Sequence, residues 1–276
     1  MLRKWGGYMF SKENYKMIAT DLDGTLLDKE SKISTYTLEV LKKLKEKGYY
    51  LTIATGRSLE SVKSVIPDLS LFDYILLNNG AFLYLPQTGK GEYFGVIEED
   101  VLKDLTANFD EQCTEINFCS AYCYYIYKAT PKKNQAFIKG IKEISEIKEE
   151  DKITKINFFP KKETDLESLY QIFQTRYPNL DIMIMQESKE EKKWLVLLPK
   201  NINKKTSVER VCKELGISLK QVIAFGDATN DLLLLEAAGY SVVVSTALEE
   251  VKKVAKKILK GEEGDSITHF LEGSLL

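Results

Sequence analysis

Short apolar runs alternate with stretches of helical period along the first eighty residues. KMIAT (16–20), YYLTIA (49–54) and DYILL (73–77) are near-continuous apolar runs of strand length, as in strands covered on both faces. Between the first two, Leu38, Leu41 and Leu44 recur at helical spacing. Ser34 is placed to cap that helix, and Gly48 follows its end at Lys47. A second helix is predicted over 59–66, between Ser58 and Pro67. Near Phe82 the pattern changes. FLYLP, EYFGVI, AYCYYIYK, ITKINFFP, DIMIMQE and KWLVLLP read as half-exposed, mostly antiparallel strands. Helices are predicted between them near 99–109, 134–148 and 164–176, and SKEEKK (188–193) reads as a hairpin turn. The first rhythm then returns. It gives a helix from Lys204 to Leu215, a strand QVIAF (221–225), a helix over 230–238, a strand YSVVV (240–244) and a helix over 247–259. The opening MLRKWGGYMFSKENYK reads as a loose extension. The fold class is α/β: a doubly wound, parallel-sheet (Rossmann-like) core over 1–82 and 200–276, with an inserted α+β cap domain over 83–199.

Composition narrows the partners. A chain of 276 residues with 44% hydrophobic content is long enough for a substantial core. Lys plus Arg number 39 against 41 Asp plus Glu, which gives no electrostatic reason to expect nucleic acid or an anionic membrane. No apolar stretch reaches the ~18 residues of a membrane span, and the start lacks the pattern of a signal peptide. Cys113, Cys119, Cys123 and Cys212 fit no zinc or redox spacing. They read as free thiols in a reducing compartment, so a cytoplasmic location is expected. The single histidine, His269, has no sequence neighbour that suggests catalysis and reads as a surface residue.

Chemistry gathers where the core strands end. In an open parallel sheet, ligands bind beyond the carboxyl ends of the strands. The first strand is followed by Asp21, Asp23, Gly24 and Thr25, and the second by Thr55, Gly56 and Arg57. The third is followed by Asn78, Asn79 and Gly80, and QVIAF by Gly226, Asp227, Asn230 and Asp231. Alone, each motif would read as turn chemistry. Together and in this order they define a site. Asp21, Asp23, Asp227 and Asp231 would converge, and four carboxylates do not all stay ionised in a small volume without a cation. All-oxygen ligands suit Mg²⁺. The Thr55 hydroxyl, the N–H groups of the glycine turns and the Lys204 ammonium suit an anion beside it. Of the two acids in DLDGT, one can attack phosphorus while the other moves protons. The spacing alone does not assign the two roles.

DLDGT, ATGR, the lysine of NINKKTSVERVCKELGI, and GDATNDLLLL resemble the four motifs of the haloacid dehalogenase-like phosphatases. The similarity is to their Cof-like branch, with an α/β cap between the second and third motifs. It spans about 15–82 and 200–272 and includes the tail GDSITHFLE. The resemblance implies that Asp21 is the nucleophile and Asp23 the general acid/base, with the Asp23 carbonyl on the metal. It implies that Thr55 and Lys204 hold the phosphate and that Asp227 and Asp231, with Asp21, form the Mg²⁺ site. Gly24, Thr25, Gly56, Arg57, Asn79 and Asn230 complete the expected phosphate and substrate contacts. Lys205, where the family has glycine, and Ser245-Thr246-Ala247, where the branch has Gly-Asn-Ala, depart from the pattern. The implied activity is a Mg²⁺-dependent phosphatase acting on small phosphorylated metabolites through an aspartyl-phosphate. Its implied partner is that small substrate, and the sequence leaves monomer and dimer open. Two alternatives share the fold's chemistry. A phosphosugar mutase would need arginine forks for a second phosphate, and the insertion holds only Arg176. A non-catalytic phosphoacceptor or phosphate-binding protein would not require Asp23. The tyrosines at 122, 124, 125 and 127 read as one face of a strand.

Overall fold

The computed structural model describes residues 14–130, 136–186 and 192–276, together with the backbone of 3–5 and 8–10. In chain order the strands are β1 (Arg3–Trp5), β2 (Tyr8–Phe10), β3 (Met17–Thr20), β4 (Tyr50–Ala54), β5 (Tyr74–Leu77), β6 (Phe82–Leu85), β7 (Lys90–Tyr93), β8 (Cys113–Ser120), β9 (Tyr124–Tyr127), β10 (Ile138–Ile141), β11 (Ile153–Pro160), β12 (Leu180–Gln186), β13 (Lys193–Pro199), β14 (Val222–Phe225), β15 (Tyr240–Val243) and β16 (Lys257–Ile258). The α-helices are α1 (Thr35–Glu46), α2 (Leu59–Lys63), α3 (Glu99–Asn108), α4 (Leu166–Arg176), α5 (Lys204–Glu214), α6 (Leu232–Ala237), α7 (Glu249–Val254) and α8 (Asp265–Leu275).

Eight strands form one sheet in the order β16-β15-β14-β3-β4-β5-β6-β7. From β16 to β5 every neighbouring pair is parallel, while β6 and β7 close the far edge antiparallel. Every residue of β3 and β14 is buried, which explains their unbroken apolar runs. The chain moves one way from β3 to β4 and β5, and the other way from β14 to β15 and β16. Right-handed crossovers therefore put their helices on opposite faces. The reversal between β3 and β14 is the switch point at which such sheets bind ligands. α1 starts as its residues predict, with the Ser34 hydroxyl accepting from the Thr37 N–H at 3.0 Å.

The second sheet has the order β10-β9-β8-β11-β13-β12 and is antiparallel except for β10 beside β9. One face packs on α3 and α4 around Leu102, Leu105, Phe158, Phe173 and Leu195. Phe173 meets the rings of Phe109, Phe158 and Tyr177 edge-on. This core is separate from that of the large sheet. The opposite face carries Lys155, Phe159, Met185 and Trp194 toward the strand tips of the large sheet.

Several expectations are corrected. FLYLP and EYFGVI, read as part of the insertion, contribute β6 and β7 to the large sheet, where Leu76 pairs with Leu83. The helix expected near 134–148 is absent over the described part, which holds β10 and a single 3-10 turn, Ile144–Glu146. Its apolar positions fall every third residue, a spacing that does not separate helix from edge strand, and Gly140 disfavours helix. The last predicted helix stops at Val254, because β16 pairs with β15 and the Leu259 N–H donates to the Val243 carbonyl. The opening residues, read as a loose extension, include an antiparallel pair, Arg3–Trp5 with Tyr8–Phe10. The tyrosines do not share one face: Tyr125 is buried in the second core, while Tyr124 reaches across to the Ser58 N–H. Residues 188–191 of the SKEEKK turn lie outside the described residues.

Asn78 ties the two sheets together. Its buried side-chain amide donates to the Ser120 carbonyl and the Thr154 hydroxyl, both at 2.8 Å, and its φ of 50° lies in the left-handed region. Asn78→Ala removes both bonds and strains the backbone. Urea unfolding is expected to show a loss of about 2–4 kcal/mol, and a change below about 0.5 kcal/mol would refute this role.

Candidate active site

The switch point brings the two acidic tips together. Asp21 follows β3, and its N–H donates to the Phe225 carbonyl of β14 at 3.1 Å. One of its oxygens accepts from the Leu22 N–H at 2.7 Å. The other pairs with the fully buried Lys204 ammonium at 2.8 Å. Lys204 opens α5, and the Ser207 hydroxyl clips that helix to the Gly80 carbonyl beyond β5. Lys204 also donates to Asp231 at 2.7 Å. The remaining Asp231 oxygen accepts from the N–H groups of Asp227 and Ala228, so both oxygens already have protein donors. Asp227 accepts from the Thr25 hydroxyl at 3.0 Å. Two close approaches require glycine. A Cβ on Gly24, whose φ is +67°, would overlap the Asp227 carboxylate, and one on Gly226 would overlap that of Asp231.

One carboxylate oxygen from each of Asp21, Asp227 and Asp231 lies within 4.8 Å of the others. Burial pushes Asp227 up to about 8, with Asp231 and Asp21 adding repulsion. Burial also pushes Asp21 up to about 7; Lys204 opposes this, while Asp231 and Asp23 reinforce it. Burial alone would lower Lys204, but Asp21 and Asp231 outweigh it and raise its pKa above that of an ordinary lysine. With all three carboxylates ionised, the cluster carries more negative charge than the Lys204 ammonium neutralises, which is why burial raises Asp21 and Asp227. Its all-oxygen donors fit a hard divalent cation.

Asp23 lies apart from the cluster, exposed, gripped by both arms of the Arg57 guanidinium at 2.5 and 2.6 Å. Arg57 also reaches the Ser61 hydroxyl and carbonyl. The turn around Arg57 is clasped from the second sheet. The buried Lys155 ammonium donates to the Gly56 carbonyl at 2.6 Å, and the Tyr124 hydroxyl accepts from the Ser58 N–H at 2.6 Å. Burial lowers the Lys155 pKa.

The strand tips thus bring Asp21, Asp227 and Asp231 together with Lys204. Thr55 is fully buried beside them, its hydroxyl accepting from the Arg57 N–H at 3.3 Å. Thr25 turns its hydroxyl to Asp227. The Asn230 amide donates to the Asn79 side chain at 2.9 Å, linking the tips of β5 and β14. Lys205 pairs with Glu209 along α5 at 3.5 Å. Ser245 and Thr246 bond Gly261 and Glu263. Their polar side chains are therefore held by the loop before α8.

A cavity of about 570 Å³ opens over Asp21, Asp23, Gly24, Gly56, Asp227 and Asn230. Its opposite wall comes from the second sheet: Phe159, Met185, Gln186, Lys192 and Trp194. The sequence reading named none of these wall residues, nor Lys155. The available signal was alternation along KWLVLLP, which puts Trp194, Val196 and Leu198 on the face opposite Leu195 and Leu197.

The fold thus sets acids at a switch point under a second sheet. The chain belongs to the haloacid dehalogenase-like hydrolases, whose family pattern matches residues 18–271. Among curated relatives, it is 27% identical to the 5-amino-6-(5-phospho-D-ribitylamino)uracil phosphatase YitU of Bacillus subtilis, over 93% of this chain and 96% of that one. It is 24% identical to an HMP-PP phosphatase of Serratia proteamaculans, over 94% of each. A solved haloacid dehalogenase-like hydrolase from Bacteroides thetaiotaomicron shares the fold at TM-score 0.74, with 24% identity over 94% of this chain and 98% of that one. The subclass IIB sugar phosphatase BT4131 does so at 0.73, with 21% identity over 93% and 98%.

Replacing Lys204 by Met leaves Asp21 and Asp231 buried without a counter-charge. In metal-free protein near pH 8 the expected loss is about 3–5 kcal/mol. It shrinks as the pH falls and Asp21 and Asp227 take up protons. Chemical unfolding at two pH values checks this, and a loss that grows toward acid would refute it.

Proposed function

We propose that the protein is a divalent-metal-dependent phosphatase that hydrolyses small phosphorylated metabolites through a phosphoaspartate on Asp21. The observation that carries this reading is the convergence of three acids and one buried ammonium at the sheet's switch point. The relatives named above are phosphatases, and their substrates belong to them. Asp21 and Asp227, supported by Asp231 and the Asp23 carbonyl, would hold Mg²⁺. Bound there, the ion supplies positive charge that lets an anionic phosphate approach Asp21.

In the first half-reaction an Asp21 oxygen bonds to phosphorus and the ester P–O bond breaks. The leaving oxygen takes a proton from the Asp23 carboxyl group. In the second, Asp23 takes a proton from water, whose oxygen bonds to phosphorus. Inorganic phosphate leaves, and Asp21 is regenerated. Lys204 offsets charge on Asp21 and on the phosphoryl group, while the Thr55 hydroxyl and the N–H groups of the glycine turns orient it. Asp23 must leave Arg57 to act, so Arg57 sets its resting position. The second sheet, from about residue 94 to 199, is read as the cap that excludes water. Arg176, the insertion's only arginine, is engaged by both oxygens of Asp104, which also accepts from the Tyr177 hydroxyl. It therefore gives no support to a mutase.

Asp21→Asn is expected to abolish phosphate release from acetyl phosphate while circular dichroism stays unchanged, because the amide does not attack phosphorus. Retained turnover would overturn the assignment. A second expectation concerns pH. Asp21 and Asp227 titrate near 7 and 8 in the folded chain, against 3.8 ordinarily. Raised folded values favour folding below the ordinary pKa, and that advantage is lost as pH rises through the folded values. Metal-free protein should therefore lose stability between about pH 4 and 8, and Mg²⁺ should raise Tm more near pH 8 than near pH 5. An equal or smaller gain at the higher pH would count against Mg²⁺ at these acids.

A further inference from the structure

Resting on the phosphatase reading, we propose that the favoured substrate carries a flat nitrogen heteroaromatic ring, which stacks on a row formed by Phe159, Trp194 and Met185. The row follows from register. Met185 on β12 pairs directly with Trp194 on β13. Phe158 on β11 pairs with Leu195, so Phe159 falls opposite Trp194 one residue further on. Three adjacent strands thus present two aromatic rings and a thioether in one line on one face. The Phe159 and Trp194 rings lie 26° from parallel with centroids 5.7 Å apart. All three residues line the cavity that holds Asp21 and Asp227 on its other side.

The row is built close to the chemistry. Trp194 and Ala228, the residue after Asp227, both pack against the cluster of Met185, Val196 and Leu198. Phe159 and Trp194 are only half-buried and line the cavity, with the Lys192 ammonium over the Phe159 ring, 4.8 Å from its centroid. A ring laid on that surface removes apolar area from water on both partners and adds stacking. Polar recognition from this wall comes from Gln186 and Lys192, which border the row. An amide offers a donor and an acceptor together, matching the edge of a nitrogen heterocycle.

Uridine 5′-monophosphate and ribose 5-phosphate test this directly, because they share the ribose phosphate and differ by the ring. Wild-type kcat/KM should be higher for the four nucleoside 5′-monophosphates or flavin mononucleotide than for ribose 5-phosphate. Trp194→Ala should lower it about tenfold or more on the ring substrates and less than about twofold on ribose 5-phosphate and acetyl phosphate. Phe159→Leu, which keeps an apolar side chain, should show the same split. Ribose 5-phosphate preferred by the wild type, or equal losses on all substrates, would overturn the proposal. No phosphate release from any compound, acetyl phosphate included, would instead overturn the phosphatase reading. The ring proposal is then judged by binding. In an Asp21→Asn, Trp5→Phe variant, Trp194 is the remaining tryptophan. Saturable quenching of its fluorescence by uridine 5′-monophosphate but not ribose 5-phosphate supports the proposal, and its absence sinks it.

Discussion

The arrangement depends on mutual repulsion among three carboxylates confined at one point of a parallel sheet. Asp21 and Asp227 end neighbouring strands that pair in register over their whole length, so the backbone gives them no freedom to separate. Asp231 is fixed by two backbone donors in the turn after β14. Lys204 answers only part of this charge, and does so from a fully buried position. Burial makes the charge costly and fixed geometry keeps it in place. The result is a centre suited to hard cations and anions, held open by elements whose own stability lies in the apolar core beneath.

Much of this was legible in the chain. Core strands buried on both faces announce themselves as apolar runs, and their tips can be read off one residue later. That is why Asp21, Thr55, Asp227 and Asp231 could be expected together at the strand tips; Lys204, which opens α5, follows no core strand and joins them from a helix end. The partners of each side chain were less legible. Thr25 serves Asp227 rather than facing outward, and Arg57 grips Asp23, because side-chain pairing is settled by packing across more than thirty residues of sequence separation.

The second sheet was the hardest to read. Its strands bury one face on α3 and α4 and turn the other to the site, so apolar residues occur on both sides and the alternation blurs. Residues 136–148 show the difficulty: every third position is apolar, yet pairing beside β9 wins over helix. The edge strands β6 and β7 misled for a related reason. They are antiparallel and partly exposed, which is the texture of the inserted part, although they belong to the large sheet.

The clasp on the turn around Arg57 has a mechanical consequence. Lys155 and Tyr124, both from the second sheet, hold Gly56 and Ser58, the residues on either side of Arg57. Any swing of that sheet away from the large one pulls on both neighbours at once. Arg57 in turn fixes where Asp23 points. Access to the cavity and the aim of the Asp23 carboxylate are thereby geared together, like a door whose hinge also sets its latch.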